Sequence, residues 1–218
     1  MAIQVWDEQM QQYRGVELAR YGVDGTLAEA LVWVGGEYRR VWPPSRDFVD
    51  DFTAPGLHER WTLMEGSYTP PGLSGLVAGP ASAPDFEVTI GLPGTPQPSF
   101  MVAVMSMTTG EGVMLSGTEG HYSFMDPAQQ YISWGLPSGD YAWSTVALRR
   151  TAGVWTVHAD GHPALGIDNL DPNRDPENPV PIDAADPFPG QDFPLIIGGW
   201  EAVGGGDTVV TSVTYTEL

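Results

Sequence analysis

A chain of 218 residues with 28 acidic and 9 basic side chains carries a formal net charge of −19 and would be repelled by phosphate backbones, which argues against direct nucleic-acid binding. It has no cysteine, so zinc–thiolate centres and thiol nucleophiles are excluded. Its 27 glycines and 20 prolines are accompanied by eight tryptophans and alternating apolar runs, the composition of turns between strands rather than of disorder.

The opening "MAIQVWDEQMQQYRG" has no basic segment followed by an apolar run, and nowhere does the chain approach the roughly eighteen apolar residues of a membrane span. Synthesis in a cytoplasm, without a standard export signal and without membrane insertion, is therefore expected. "DEQMQQYRGVELARYG" and "GTLAEALVW" are the two stretches with helix-forming composition, but both are short and weakly periodic, so an all-β chain is the default. "ALVWVGGEYRRVW" predicts a hairpin about Gly35–Gly36, with Trp33 opposite Tyr38 and Leu31 opposite Arg40. Pro43 and Pro44 cannot donate to a ladder, so they end that strand and begin a linker. The expected organisation is a small β module over residues 1–44 and a larger domain over 45–218.

In the larger domain, runs such as "DFEVTIGL", "FMVAVMSMT", "YISWGL", "VWTVHA", "PLIIGGW" and "TVVTSVTYTEL" alternate with Gly, Pro, Asp and Ser clusters, the spacing of an antiparallel β-sandwich or jelly roll. "FMVAVMSM" is apolar on both alternating faces, as a central strand in two packed sheets would be. "LGIDNLDPNRDPENPVPIDAADPFPGQDFP" reads as one long acidic loop. In "VALRRTAGVWTVHADG" a three-residue loop, Thr151-Ala152-Gly153, would pair Arg149 with Trp155, Ala147 with Val157 and Val146 with His158. Both arginines are then strand-end residues, Arg149 lying over the Trp155 ring, and Asp160-Gly161 supplies a second tight turn.

"WSTVALRRTAGVWTVHADGHPAL", followed later by "FPLIIGGW", resembles the concanavalin A-like (laminin G-like) jelly roll, through Trp143, Val146, Ala147, Leu148, Gly153, Val157, Asp160, Gly161, Ile197, Gly198 and Gly199. With "DDFTAPGLHERWTLMEG" at the domain entry, the resemblance spans residues 47–218 and implies fold more than ligand, because lectins, glycosidases, adhesion modules and virion parts share this architecture. The leading "MAIQVWDEQMQQYRGVELARYG" and "ALVWVGGEYRRVWP" resemble the first segment of minor tail proteins from tailed phages of actinobacteria. That resemblance implies a virion tail location, residues 1–44 as the attachment module, other tail proteins as partners, and a homo-oligomer, trimeric by analogy with tail-tip symmetry.

Few residues suggest chemistry. A retaining glycosidase on this fold needs two close carboxylates, commonly from a Glu-x-Asp-x-x-Glu strand, and none occurs. Asp85 and Glu87 share a face, but at the start of a strand where solvated charge is ordinary. His58, His121, His158 and His162 have no metal-ligand spacing, His158 being assigned to packing, and neither a Gly-x-Ser-x-Gly elbow nor a phosphate loop is present. The chain is accordingly expected not to be an enzyme. "DPNRDPEN" begins with calcium-loop spacing, but Pro176 stands where glycine is required, and Ile182 where the bidentate Glu should be. No cofactor is expected. The resemblance leaves room for calcium, with Asp168, Asp171, Asp175 or Asp183 as ligands, although solvated loop charge is the plainer reading.

Aromatic residues are the better lead. A sugar ring offers an apolar C–H face and a hydroxyl rim, which a flat ring with polar neighbours complements. "HYSFMDPAQQYISWGLPSGDYAW" supplies Tyr131, Trp134, Tyr141 and Asp140, with Trp134 and Tyr141 as the exposed rings. The function expected is that of a minor tail or tail-tip component whose jelly roll contacts host-surface glycan or other tail proteins. A capsid decoration protein and a glycan-degrading depolymerase are the alternatives.

Overall fold

The computed structural model describes the backbone of five strands between residues 4 and 42 and, beyond them, residues 46–118, 120–137, 141–199 and 210–218. The chain divides into two compact units, Met1–Arg46 and Asp47–Leu218. In the first, β1 (Gln4–Asp7) pairs antiparallel with β2 (Gln12–Gly15). A three-stranded sheet follows in the order β3 (Leu18–Tyr21), β4 (Leu27–Val34), β5 (Glu37–Trp42). Both stretches of helix-forming composition contribute strands instead. The β4–β5 register sets Leu31 opposite Arg40 and Trp33 opposite Tyr38, as the Gly-Gly turn predicts.

The second unit runs β6 (Phe48–Asp50), β7 (Thr62–Glu65), β8 (Leu76–Ala81), β9 (Phe86–Gly91), β10 (Phe100–Met105), β11 (Gly112–Thr118), β12 (His121–Met125) and β13 (Ser133–Gly135). It continues with β14 (Thr145–Thr151), β15 (Val154–Ala159), β16 (His162–Pro163), β17 (Leu165–Asp168), β18 (Val180–Pro181), β19 (Asp183–Ala185), β20 (Pro194–Gly199) and β21 (Ser212–Glu217). Nine strands form one sheet in the order β18-β17-β13-β12-β11-β10-β20-β8-β7, and six form the other in the order β16-β15-β14-β9-β21-β6, with β19 added against β15. All pairings are antiparallel, and the two sheets pack as the expected β-sandwich. No helix among the described residues is long and apolar enough to cross a membrane.

Period-two alternation builds the core. From one sheet Phe86, Val88 and Ile90 of β9, Leu148 of β14, Trp155 of β15, and Val213 and Tyr215 of β21 point inward; from the other come Phe100, Val102 and Val104 of β10, Leu115 of β11, and Leu195 and Ile197 of β20. β10 lies between β11 and β20, and its second face is apolar too, with Met101 and Ala103 forming a separate buried cluster with Ile196. The stretch 165–193, expected as one loop, contains β17, β18 and β19, each too short to show a periodicity.

The β14–β15 hairpin departs from the expected register by one residue. Thr151 pairs with Val154 and Arg150 with Trp155, leaving a two-residue turn in which Ala152 and Gly153 take φ of +51° and +75°. Asp85 makes the alanine's left-handed conformation tenable, its Oδ1 accepting the Ala152 N–H at 2.7 Å. A one-residue slip exchanges the faces of every side chain. Arg149 therefore pairs with Thr156, Ala147 faces His158, and it is Arg150 that enters the core, its guanidinium carbon 5.3 Å from the Trp155 ring centroid and 5.4 Å from that of Phe86. Arg150 is not a solvated strand-end residue but a buried clamp, with Nη2 donating to Ala83 O and Nε to Pro84 O, each at 2.6 Å.

Candidate functional site

Where β14 begins, three loops meet at one end of the sandwich. Main-chain bonds join them: Leu92 N to Ser144 O at 2.9 Å, Gln97 N to Tyr141 O at 2.6 Å, and, from the turn after β15, Asp160 N to Thr145 O at 3.0 Å. In "YAW" two rings at i and i+2 of an extended segment share a face. Tyr141 stacks on Trp143 with centroids 4.7 Å apart and an interplanar angle of 23°. Trp143 leans on Tyr122 at 4.6 Å, and Tyr122 stacks on Phe100 at 5.7 Å. The ladder passes from the buried Phe100 and Tyr122 to the half-exposed Trp143 and Tyr141.

Its base is rigid. The Tyr122 hydroxyl donates to Pro98 O at 2.9 Å, and burial, followed by the neighbouring Tyr141, pushes its pKa up to about 12. A Cβ at Gly117 would fall on the Tyr122 ring and backbone, so glycine there lets the ring lie across β11. Beside the ladder, Asp160 and Gly161 form the expected tight turn at φ of +47° and +77°. One Asp160 oxygen accepts the N–H groups of Ser144 and Thr145, each at 2.9 Å, fixing the chain just after Trp143. The result is a half-exposed ring stack ended by Tyr141, next to an exposed carboxylate, an arrangement whose outer ring can stack the C–H face of a sugar while the carboxylate bonds its hydroxyls.

The residues predicted from sequence do not gather into one cluster. Tyr141 lies in the ladder. Trp134 is not an exposed ring: β13 sets it opposite Phe124 with its side chain in the core, only 8 % exposed. Tyr131 is 64 % exposed, but it precedes β13 whereas Tyr141 follows it, so the two tyrosines belong to opposite ends of that strand. Its loop is organised by the buried Asp126, whose carboxylate accepts N–H bonds from Gln130, Tyr131 and Ile132. Burial alone would raise the Asp126 pKa, but these bonds together hold it below the ordinary value. Asp140 lies outside the described residues. Trp143, which the sequence marked as part of a fold motif, is the ring that the four predicted positions missed.

Three of the four calcium candidates are each occupied locally. Asp168 accepts Leu170 N, Asp171 accepts Asn173 N, and Asp175 accepts Glu177 N and the Asn178 side chain. Among the described residues no group of three His, Cys, Asp or Glu side chains is placed to hold a metal ion.

A second depression opens where β6 ends. Val49, Asp50, Asp51, Phe52, Leu57, His58 and Tyr68 are among the residues lining a hollow of about 310 Å³. Asp50 accepts Trp61 Nε1 and Phe52 N, both at 2.9 Å, and Tyr68 pins the opposite wall by donating to Ala54 O at 2.6 Å. Bonds from the Thr53 hydroxyl and N–H lower the Asp51 pKa, while burial, then the charges of Asp50 and Asp51, raise that of Tyr68. The hollow thus has a carboxylate and a phenol in one lining.

No family model and no curated protein matches the chain. Solved structures of similar fold include the VIP36 exoplasmic/lumenal domain in a Ca2+/Man2-bound form, at 12 % identity over 79 % of this chain and 87 % of that one, with a TM-score of 0.46. A xylan β-1,4-xylosidase from Bacillus halodurans C-125 aligns at 14 % identity over 98 % of this chain but 52 % of its own length, TM-score 0.42. A glycosyl hydrolase family protein from Mycobacterium fortuitum aligns at 14 % identity over 77 % of this chain and 98 % of its own, TM-score 0.38. At such identities the likeness concerns fold and not ligand. The expectation that the chain is not an enzyme is corrected by these structures. An exclusion built on one missing Glu-x-Asp-x-x-Glu strand does not cover a carboxylate pair delivered from loops.

Proposed function

We propose that Asp47–Leu218 is a glycan-binding sandwich that grips a sugar chain on the Tyr141–Trp143 stack. The observation that carries this reading is a half-exposed aromatic pair held by buried rings and by main-chain bonds from three loops. Little ordering is then left for binding, which favours affinity. Affinity electrophoresis through gels containing soluble polysaccharides tests it. Tyr141→Ala, with its fold checked by circular dichroism, should weaken retardation about tenfold, as expected when a stacking ring is lost. Unchanged retardation would overturn it.

The wider setting we propose is a virion tail, where the protein works with other tail proteins and as a homo-oligomer, a trimer in the simplest case. Support comes from the resemblance of residues 1–44 to leading segments of minor tail proteins. Labelling of intact virions by electron microscopy tests it, with a capsid position as the contrary result.

Glycan cleavage is the second reading, favoured by a carboxylate, Asp51, and a phenol, Tyr68, lining the same hollow. Such a pair can divide base and acid roles. Release of reducing ends from a retarding polysaccharide, abolished by Asp51→Asn, would establish cleavage; no release with the wild-type chain would remove it.

A further inference from the structure

We infer that the glycan is uncharged, a conclusion that rests on the glycan-binding reading above and narrows its ligand class. The charge of the chain is unevenly divided. Residues 47–218 hold 22 of the 28 acidic side chains but only 4 of the 9 basic ones, all of them arginine, since the chain has no lysine. One of the four, Arg150, is buried. Arg149 lies beside it, at the end of β14 remote from Trp143. Arg174 donates to Asn169 O, and Asn169 N bonds to Ser133 O, at the end of β13 remote from Tyr141. Arg60 is held over the Phe48 ring at 4.5 Å and donates to His58.

The ladder has acidic neighbours instead. Asp160 bonds to the two residues that follow Trp143. The sheet registers place Val146, Ile90, Val213 and Asp50 in one row across β14, β9, β21 and β6, so Asp50 and Asp51 leave the sandwich at this same end. Glycans bearing carboxylates or phosphodiesters are recognised by cations that pair with each charge, commonly arginine or lysine. Here a polyanion would meet like charge at every repeat, whereas a neutral polysaccharide loses nothing to this field and stacks on Tyr141 and Trp143 as before.

Matched polymers at pH 8 supply the test. Full-length protein is run through gels containing dextran, xylan, mannan or galactan, and through gels containing the carboxymethylated form of each. Retardation by at least one neutral polymer, unchanged between 20 and 300 mM NaCl, is expected. Its carboxymethylated partner should bind about tenfold more weakly at 20 mM NaCl, with the gap closing to about twofold at 500 mM as charges are screened. Asp160→Asn keeps an oxygen to accept the Ser144 and Thr145 N–H groups, and should recover about twofold of the lost binding to the carboxymethylated polymer. Equal or tighter binding of the charged form at 20 mM NaCl, or neutral binding that falls with added salt, overturns the inference and leaves the glycan-binding reading standing. Retardation by no polymer of either series overturns that reading and the inference with it.

Discussion

Arg150 donates to Asp186 at 3.3 Å with the two side chains only 3 % and 5 % exposed, so the ion pair belongs to the interior of the sandwich. It ties β14 to the segment between β19 and β20, and the same guanidinium covers the carbonyls of Ala83 and Pro84. Replacing it with an apolar side chain strands a carboxylate and two carbonyls. Arg150→Met is expected to cost about 3 to 5 kcal/mol. Adding Asp186→Asn should return part of that loss, because the charge left behind is then removed. Urea denaturation of the two variants, read by tryptophan fluorescence, checks both signs.

Asp126 gives a prediction in pH. Its folded pKa lies below the ordinary 3.8, so its contribution is fully present above that value and is lost as pH falls through the folded one. Loop 126–132 should open in acid before the sandwich does. Hydrogen exchange at Gln130, Tyr131 and Ile132, taken relative to the intrinsic amide rate at each pH, is expected to accelerate below about pH 4. Asp126→Ala should show the same fast exchange at pH 7 and cost about 2 kcal/mol, chiefly for the buried Ile132 N–H left without an acceptor.

Tyr122 acts at the other extreme. With its folded pKa raised from 10.0 to about 12, the hydroxyl ionises first in the unfolded chain, so its stabilising contribution is intact below pH 10 and disappears as pH climbs towards 12. An absorbance titration at 295 nm should show a late step near pH 12 to which Tyr122 contributes. Tyr122→Phe should reduce that late step and leave the earlier ones in place.

Ala152 is a residue that can be improved. An alanine at φ of +51° bears a steric penalty that glycine escapes and asparagine tolerates better. Ala152→Asn keeps the N–H bonded to Asp85 and is expected to raise stability by about 0.5 to 1 kcal/mol, or about 1 to 3 °C in melting temperature. Differential scanning calorimetry checks it.

That same alanine shows where the sequence stops being readable. Gly35–Gly36 announces a primed turn by composition, and the β4–β5 register follows it. Ala152 announces nothing, because its conformation depends on Asp85, which is remote in sequence, and the hairpin is misread by one residue in consequence. The alternation of Phe86, Val88 and Ile90 was legible, as was the two-faced apolar character of β10, both being local and periodic. The site was legible only in part. Tyr141 and Trp143 share a face through i, i+2 spacing, but Trp134 differs from them only in the sheet that receives it, and the core rather than the local pattern decides that.

β21 enters its sheet between β9 and β6, and Tyr215 stacks on Phe86 and on Phe48, each at 5.4 Å. The ribosome must therefore pass position 217 before β6, made some 170 residues earlier, finds its only partner strand among the described residues. Until then Phe48 and Phe86 have no ring between them. Closure of this body waits for β21, and a nascent chain stalled before β21 would present an open sheet to whatever chaperone or neighbour reaches it first.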